Sequence, residues 1–142
     1  MKIKRLFWAV LAFAGCSDPD PDIANKFVGT YIHEEQTPNE SVLTQWKIWK
    51  AGYKDRIRIE INIKTDFADP GRQDAIESLS VDSVLVDSDY TLFFKNRYVG
   101  GEVGRKIYGQ AVLSGQELTA DITIVSQNGH SDSQRLRFAK TK

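Results

Sequence analysis

The side chains that most often perform chemistry are few in this chain, and their spacing does not assemble a catalytic site. His33 and His130 are its two histidines, and they stand in different halves of the sequence. No HExxH or CxxC spacing accompanies either, so they read as solvated loop residues. The serines lack the glycine-flanked pattern that exposes a nucleophile, and no Ser-His-Asp constellation is expected. Asp66, Asp69 and Asp74 share one segment. They lack the spacing of an EF-hand loop and read as a solvated acidic loop. The segment Tyr98–Gly104 holds three glycines. It opens no predicted helix, so a mobile loop at one end of the fold is expected rather than a phosphate cradle. Neither a metal nor a cofactor is expected, and the chain reads as a non-enzyme. Cys16 is the only cysteine. One cysteine forms no internal disulfide, so the fold must hold without such staples.

What precedes Cys16 gives it a context. Lys2, Lys4 and Arg5 lead into the apolar run Leu6–Ala14, which ends at Gly15-Cys16. A charged start, a short apolar core and a small residue at the cut describe a secretory signal peptide. A membrane-spanning helix needs about 20 apolar residues, so this run is too short to remain as one. Phe13-Ala14-Gly15-Cys16 resembles the lipobox of bacterial lipoproteins. That resemblance implies removal of residues 1–15, transfer of a diacylglycerol to the Cys16 thiol and acylation of its amine. Membrane lipid is then the first partner, because two or more acyl chains anchor a protein stably where one does not.

Ser17-Asp18-Pro19-Asp20-Pro21-Asp22 follows. Three carboxylates and two prolines in six residues bury no apolar surface, so an extended tether is expected. Cys16-Ser17 with an acidic run after it resembles the surface-export signal of Bacteroidota-type lipoproteins. The implied location is the outer membrane, with the cell surface favoured over the periplasmic face.

The whole chain balances 19 basic against 19 acidic residues. Loss of Lys2, Lys4 and Arg5 leaves 16 basic against 19 acidic, a formal charge of −3. A weakly acidic domain lacks the footprint that drives phosphate-backbone binding, so nucleic acid is not an expected partner. The expected organisation is a signal peptide over 1–15, a lipidated cysteine and tether over 16–26, and one domain over 27–142.

Within that domain the dominant pattern is alternation with period two, the mark of half-buried strands. In Arg56–Lys64 four isoleucines fall on one face, and Arg56, Arg58, Glu60, Asn62 and Lys64 fall on the other. Isoleucine is β-branched and suits a strand. Strands are expected at Phe27–His33, Val42–Lys50, Arg56–Lys64, Ser78–Val86, Tyr90–Lys95, Arg105–Leu113, Leu118–Val125 and Gln134–Ala139. Ser114-Gly115 and Asn128-Gly129 supply the glycines of tight turns. Asp69-Pro70-Gly71 marks a turn within the longest gap, Thr65–Glu77. Single helical turns are expected at Asp22–Lys26 and Asp74–Glu77. Eight sequential strands with short connections predict an all-β fold, an antiparallel up-and-down barrel closed to remove its edges. An open β-sandwich is the second architecture this pattern allows.

Phe27-Val28-Gly29-Thr30-Tyr31 resembles the opening motif of lipocalin-like proteins, with Tyr31 as the aromatic that plugs the barrel base. Gly109–Ile122 is similar to the late hairpin of small calycin-like lipoproteins from Bacteroidota. The resemblance implies an arginine of the last strand packed over the opening aromatic, Arg135 or Arg137. An eight-stranded barrel either packs solid or holds one small ligand. Gly109 and Ala111 leave room for a small cavity. If the barrel is hollow, Trp46, Ile57, Ile59 and Ile61 line it, with Tyr98 at its mouth. The expected function is binding of a small apolar molecule. The alternative is a solid barrel serving as a non-catalytic accessory subunit of a cell-envelope complex, with contacts through loops carrying Trp49, Tyr53 and Tyr98.

Overall fold

Strand after strand, the branched and aromatic residues in every second position turn to one side and close a wall around themselves. The computed structural model describes residues 22–88, 90–100 and 104–141. The signal segment, Cys16 and the tether as far as residue 21 lie outside the described residues, as do residues 101–103 of the glycine segment. The described residues form a 3-10 turn, Ile23–Lys26, and eight strands. The strands are β1 Gly29–Gln36, β2 Glu40–Lys50, β3 Arg56–Phe67, β4 Ala75–Ser88, β5 Thr91–Gly100, β6 Lys106–Ser114, β7 Glu117–Val125 and β8 Ser131–Lys140. Each pairs antiparallel with the next, and β1 pairs with β8, so the sheet is a closed up-and-down barrel. Closure excludes the open sandwich. The arrangement is compatible with the lipocalin-like expectation.

In β3 the alternation is the one its sequence announces: Ile57, Ile59 and Ile61 are buried and Arg58 is exposed. The same rule places Trp46 and Ile48 of β2 and Leu92 and Phe94 of β5 in the core, and β4 adds Val81 and Val86 on either side of a break in its alternation. Ile107 of β6, Leu118 of β7 and Phe138 of β8 complete it. Rings meet at its centre, where Trp46 lies 4.6 Å from Phe138 and 6.0 Å from Phe94, the latter edge to face.

Several boundaries move. The expected helical turn at Asp74–Glu77 is absent, because β4 begins at Ala75 and pairs Ala75 with Thr65 and Glu77 with Ile63. A continuing ladder satisfies those backbone groups better than one isolated turn. What remains between β3 and β4 is a short turn. There Asp69 accepts from the Gly71 N–H at 2.8 Å through its side chain and from the Arg72 N–H at 3.0 Å through its carbonyl. Tyr98, Val99 and Gly100 belong to β5 rather than to a loop. The turn at Ile23–Lys26 forms within the expected Asp22–Lys26 segment.

Gly109 has a different purpose from making room in the interior. Its φ is +123°, and a Cβ built there would sit 2.1 Å from the Asp121 carbonyl oxygen on β7. The residue is glycine because two backbones approach, not because a cavity needs space.

The two ends of the barrel differ. One is closed by the 3-10 turn and the residue that caps it, whose Ala24 and Phe27 are both fully buried in the core. At the far end Ile63, Ile124 and Leu136 are only partly buried.

Candidate functional site

Trp46, Ile57, Ile59 and Ile61 come together on the inner face of β2 and β3. The pairs Trp46↔Ile61 and Ile48↔Ile59 put them in register. Trp46, Ile57 and Ile59 expose none of their surface and Ile61 only 4%. A side chain with no area accessible to a water-sized sphere lines no void that a water could occupy. Around Trp46, Ile57 and Ile59 the interior is filled by packed side chains. Tyr98 does not join them: it points outward and is 66% exposed.

The closed end forms around Gly29 and Tyr31. Tyr31 pairs with Lys140 across the β1–β8 seam, and the Lys140 ammonium lies 5.4 Å from the centre of the Tyr31 ring. The lysine stem passes where a Cβ on Gly29 would be, 2.6 Å from its Cε. The cation over the opening aromatic is therefore Lys140. Arg135 and Arg137 face outward, because Leu136 and Phe138 take the inward positions of β8. Arg135 instead approaches Asp121 at 3.5 Å. The Tyr31 hydroxyl is buried without a hydrogen-bond partner among the described residues. Burial pushes its pKa up to about 12, because the phenolate would have to shed its water.

His33 is structural. Its Nδ1 donates to the Arg137 carbonyl at 2.8 Å, which fixes the tautomer, since a carbonyl only accepts. The β1–β8 ladder has just two register pairs, so this bond, like those from Thr141 to the Thr30 carbonyl, adds a tie across the closing seam. The His33 ring also leans on Phe138 at 5.8 Å. His130 lies exposed in the β7–β8 turn, with its backbone N–H donating to Asn128. Asp66 pairs with Lys64 at 2.8 Å and holds that ammonium above its ordinary pKa by a hydrogen bond. Asp74 accepts from the Phe67 N–H at 3.3 Å. The acidic segment is spent on its own turn. Among the described residues no three His, Cys, Asp or Glu side chains are grouped to hold a metal.

The least regular part of the molecule lies on the outer wall. β4 and β5 pair at Ser80↔Gly100 and Val81↔Val99, then not again until Leu85↔Phe93. Three residues on one strand face five on the other across this gap, which is a compound bulge. Ser83 (φ 54°) and Asn96 (φ 52°) are the non-glycine residues with positive φ among the described residues, and both lie inside it. The distortion is tied down by side chains: Arg56 Nη1 donates to the Ser83 carbonyl at 3.2 Å, and the Tyr108 hydroxyl donates to Asn96 Oδ1 at 2.9 Å. Strain held by its surroundings in this way recurs at functional sites.

The gap opens a groove along the outside. Three hollows of about 430, 440 and 550 Å³ adjoin through shared residues. Tyr53, Asp55 and Arg56 line the first, which shares Ser83 and Arg97 with the second. The second shares Tyr98 with the third, which continues to Lys106 and Tyr108. Arg97 forms no hydrogen bond or ion pair among the described residues, although it lines two of the hollows. Charges of both signs alternate along the groove, with Asp82 paired to Arg58 at 3.2 Å. Such a surface offers aromatic faces, donors and acceptors to an extended partner, and among the described residues it pairs no nucleophile with a base. Sequence reasoning singled out Tyr53 and Tyr98 but not the groove. Its one trace in the sequence is a slip in the alternation, from Val81 to Val84 and from Phe94 to Val99.

No protein-family model matches the chain, and no curated protein matches it.

Proposed function

We propose that this chain is a lipid-anchored, non-catalytic interaction module of the cell envelope, resembling Bacteroidota-type lipoproteins, with a solid barrel whose recognition surface is its outer wall. The observation that carries the reading is the complete burial of Trp46, Ile57 and Ile59. With those positions packed, recognition falls to the outside. There the groove between β4 and β5 presents exposed tyrosines and the Arg97 guanidinium, which has no partner among the described residues. Exposed Tyr and Arg are the residue types that carry most binding energy at protein interfaces. In this reading the anchor at Cys16 confines the module to the outer membrane, and the groove engages another envelope protein.

A photo-crosslinking phenylalanine derivative at position 98 tests it in intact cells. A discrete adduct is expected at position 98 and none at position 135, on the β8 side of the barrel. The adduct should weaken when Arg97→Ala is added. Absence of an adduct at 98, or equal labelling at 98 and 135, overturns the assignment.

A second reading is supported by the far end, where Ile63, Ile124 and Leu136 are only partly buried. A small apolar molecule seated there would cover them. The check is the melting temperature of the full chain with a panel of hydrophobic probes and lipids. A probe-dependent rise that Ile124→Asn abolishes supports the reading, and no rise with any probe rejects it.

A further inference from the structure

The closed end of the barrel is where the chain emerges from its N-terminal segment, and aromatic side chains stand exposed there among charged ones. Trp49 is 42% exposed, Tyr53 70% and Tyr90 56%. They belong to a single rim. The Ala24 N–H donates to the Lys54 carbonyl at 3.3 Å, which ties the 3-10 turn to the loop carrying Tyr53. The Val86 N–H donates to Asp55 at 2.8 Å, and the Leu113 N–H to Tyr90 at 2.7 Å, which join the neighbouring loops. The Lys26 ammonium lies 5.0 Å over the Tyr90 ring. Asp22, the first described residue, pairs with Lys50 on the same rim.

We infer that this closed end rests on the bilayer interface, with Trp49, Tyr53 and Tyr90 at headgroup level, the Tyr53 end of the groove nearest the membrane, and its Tyr98 end and the far end of the barrel turned away. The inference rests on the lipid anchor at Cys16. Six steps of chain separate Cys16 from Asp22. At about 3.3–3.6 Å each they reach at most roughly 20 Å, so an acylated Cys16 keeps this end, and not the opposite one, beside the bilayer. Tryptophan and tyrosine are the side chains that settle where water meets hydrocarbon, and lysine stems extend from there into water. Attraction to anionic lipid is not the driving force. Asp22 and Asp55 lie among the lysines of the rim, and the domain is weakly acidic. The contact is therefore one of amphipathic aromatics with the interface, and it should persist when salt is raised.

The test uses the full chain, purified from cells with its acyl groups and reconstituted into phosphatidylcholine vesicles with brominated acyl chains. Beyond the leader the chain has two tryptophans, Trp46, fully buried, and Trp49. Mass spectrometry reports loss of residues 1–15 and the mass added at Cys16. The expected result is loss of most Trp49 emission in brominated vesicles relative to unbrominated ones. Trp49→Phe should leave only unquenched Trp46 emission. The double variant Tyr53→Ser and Tyr90→Ser should reduce the quenching while circular dichroism confirms its fold. Acylated protein with unquenched Trp49 overturns the orientation and leaves the anchor standing. Protein without acyl mass at Cys16 overturns the anchor and the orientation together.

Discussion

The wall formed by β2 and β3 and the wall formed by β4 and β5 use the same kinds of residue and reach different results. β2 and β3 run in unbroken register from Glu40↔Phe67 to Lys50↔Ile57. Inside, that wall presents Trp46, Ile48, Ile57 and Ile59, all buried. The β4–β5 wall also buries valine, leucine and phenylalanine, yet its ladder breaks in the middle and two residues adopt left-handed backbone. The difference teaches where each part of the molecule spends its interactions. The regular wall turns its specificity inward, into packing. The broken wall keeps its core contacts and opens a groove outward. Effects on stability should concentrate on the first, and effects on recognition on the second.

The hardest test of that division is Trp46→Ala. Trp46 sits among Phe94 and Phe138 with no exposed surface. Truncating a buried aromatic typically costs about 3–5 kcal/mol. Chemical denaturation should register a loss of that size, whereas Tyr98→Ala on the groove should stay within about 0.5 kcal/mol. Similar costs at the two positions would erase the distinction. Gly109→Ala follows closely, because the new Cβ would press on the Asp121 carbonyl at a φ that disfavours it. Left-handed strain and overpacking each cost about 1–3 kcal/mol, so a loss on the order of 3 kcal/mol is expected. Hydrogen exchange should localise it to the β6–β7 ladder.

Alkali probes the packed side without truncating anything. Tyr31 titrates at 10.0 when unfolded and near 12 when folded. Below pH 10 the phenol is neutral in both states and its contribution is fully present. Between pH 10 and 12 the unfolded chain releases its proton and the folded one holds it, so stability falls as pH rises. Two units correspond to about 2–3 kcal/mol lost by pH 12. Tyr31→Phe removes this component, and the difference between the two proteins' urea midpoints should widen across that window in favour of phenylalanine. At neutral pH the variant should be at least as stable as the parent, since the hydroxyl it removes is buried without a partner among the described residues. A parallel decline of both proteins above pH 10 would show that Tyr31 is wetter than its packing states.

Much of this division was legible in the sequence. The alternation of Ile57, Ile59 and Ile61 needs only the pleat to become an inner face, so the barrel's strands and most of its core follow from periodicity. Asp74–Glu77 misled because four residues carry too little pattern to outweigh a ladder that continues past them. Gly109 was legible as a glycine in a strand, but its reason lies on β7, more than ten residues away in the chain. Whether Trp46 lines a pocket or fills one depends on how volumes add across all eight strands, which no local pattern encodes. Tyr98 shares its neighbourhood with Gly100, yet its face is set by the bulge preceding it. The groove is invisible for the same reason: it is made by a mismatch between two strands, each ordinary alone.

The smallest expected effect tests whether that mismatch is stored strain. A non-glycine residue in left-handed backbone costs about 1–2 kcal/mol, less for asparagine than for serine. Glycine at Ser83 would remove that cost but return some of it through the greater freedom of the unfolded chain, about 0.5–1 kcal/mol. Ser83→Gly should therefore raise stability slightly, by less than about 1 kcal/mol. Asn96→Gly relieves less strain and loses the bond from the Tyr108 hydroxyl, so it should be neutral or mildly destabilising. Calorimetry on both variants resolves the contrast. If Ser83→Gly stabilises the fold while the crosslink from position 98 is lost, the bent backbone is maintained for recognition. If it destabilises by a full kilocalorie or more, the serine side chain supports the bulge, and the two walls differ in geometry alone.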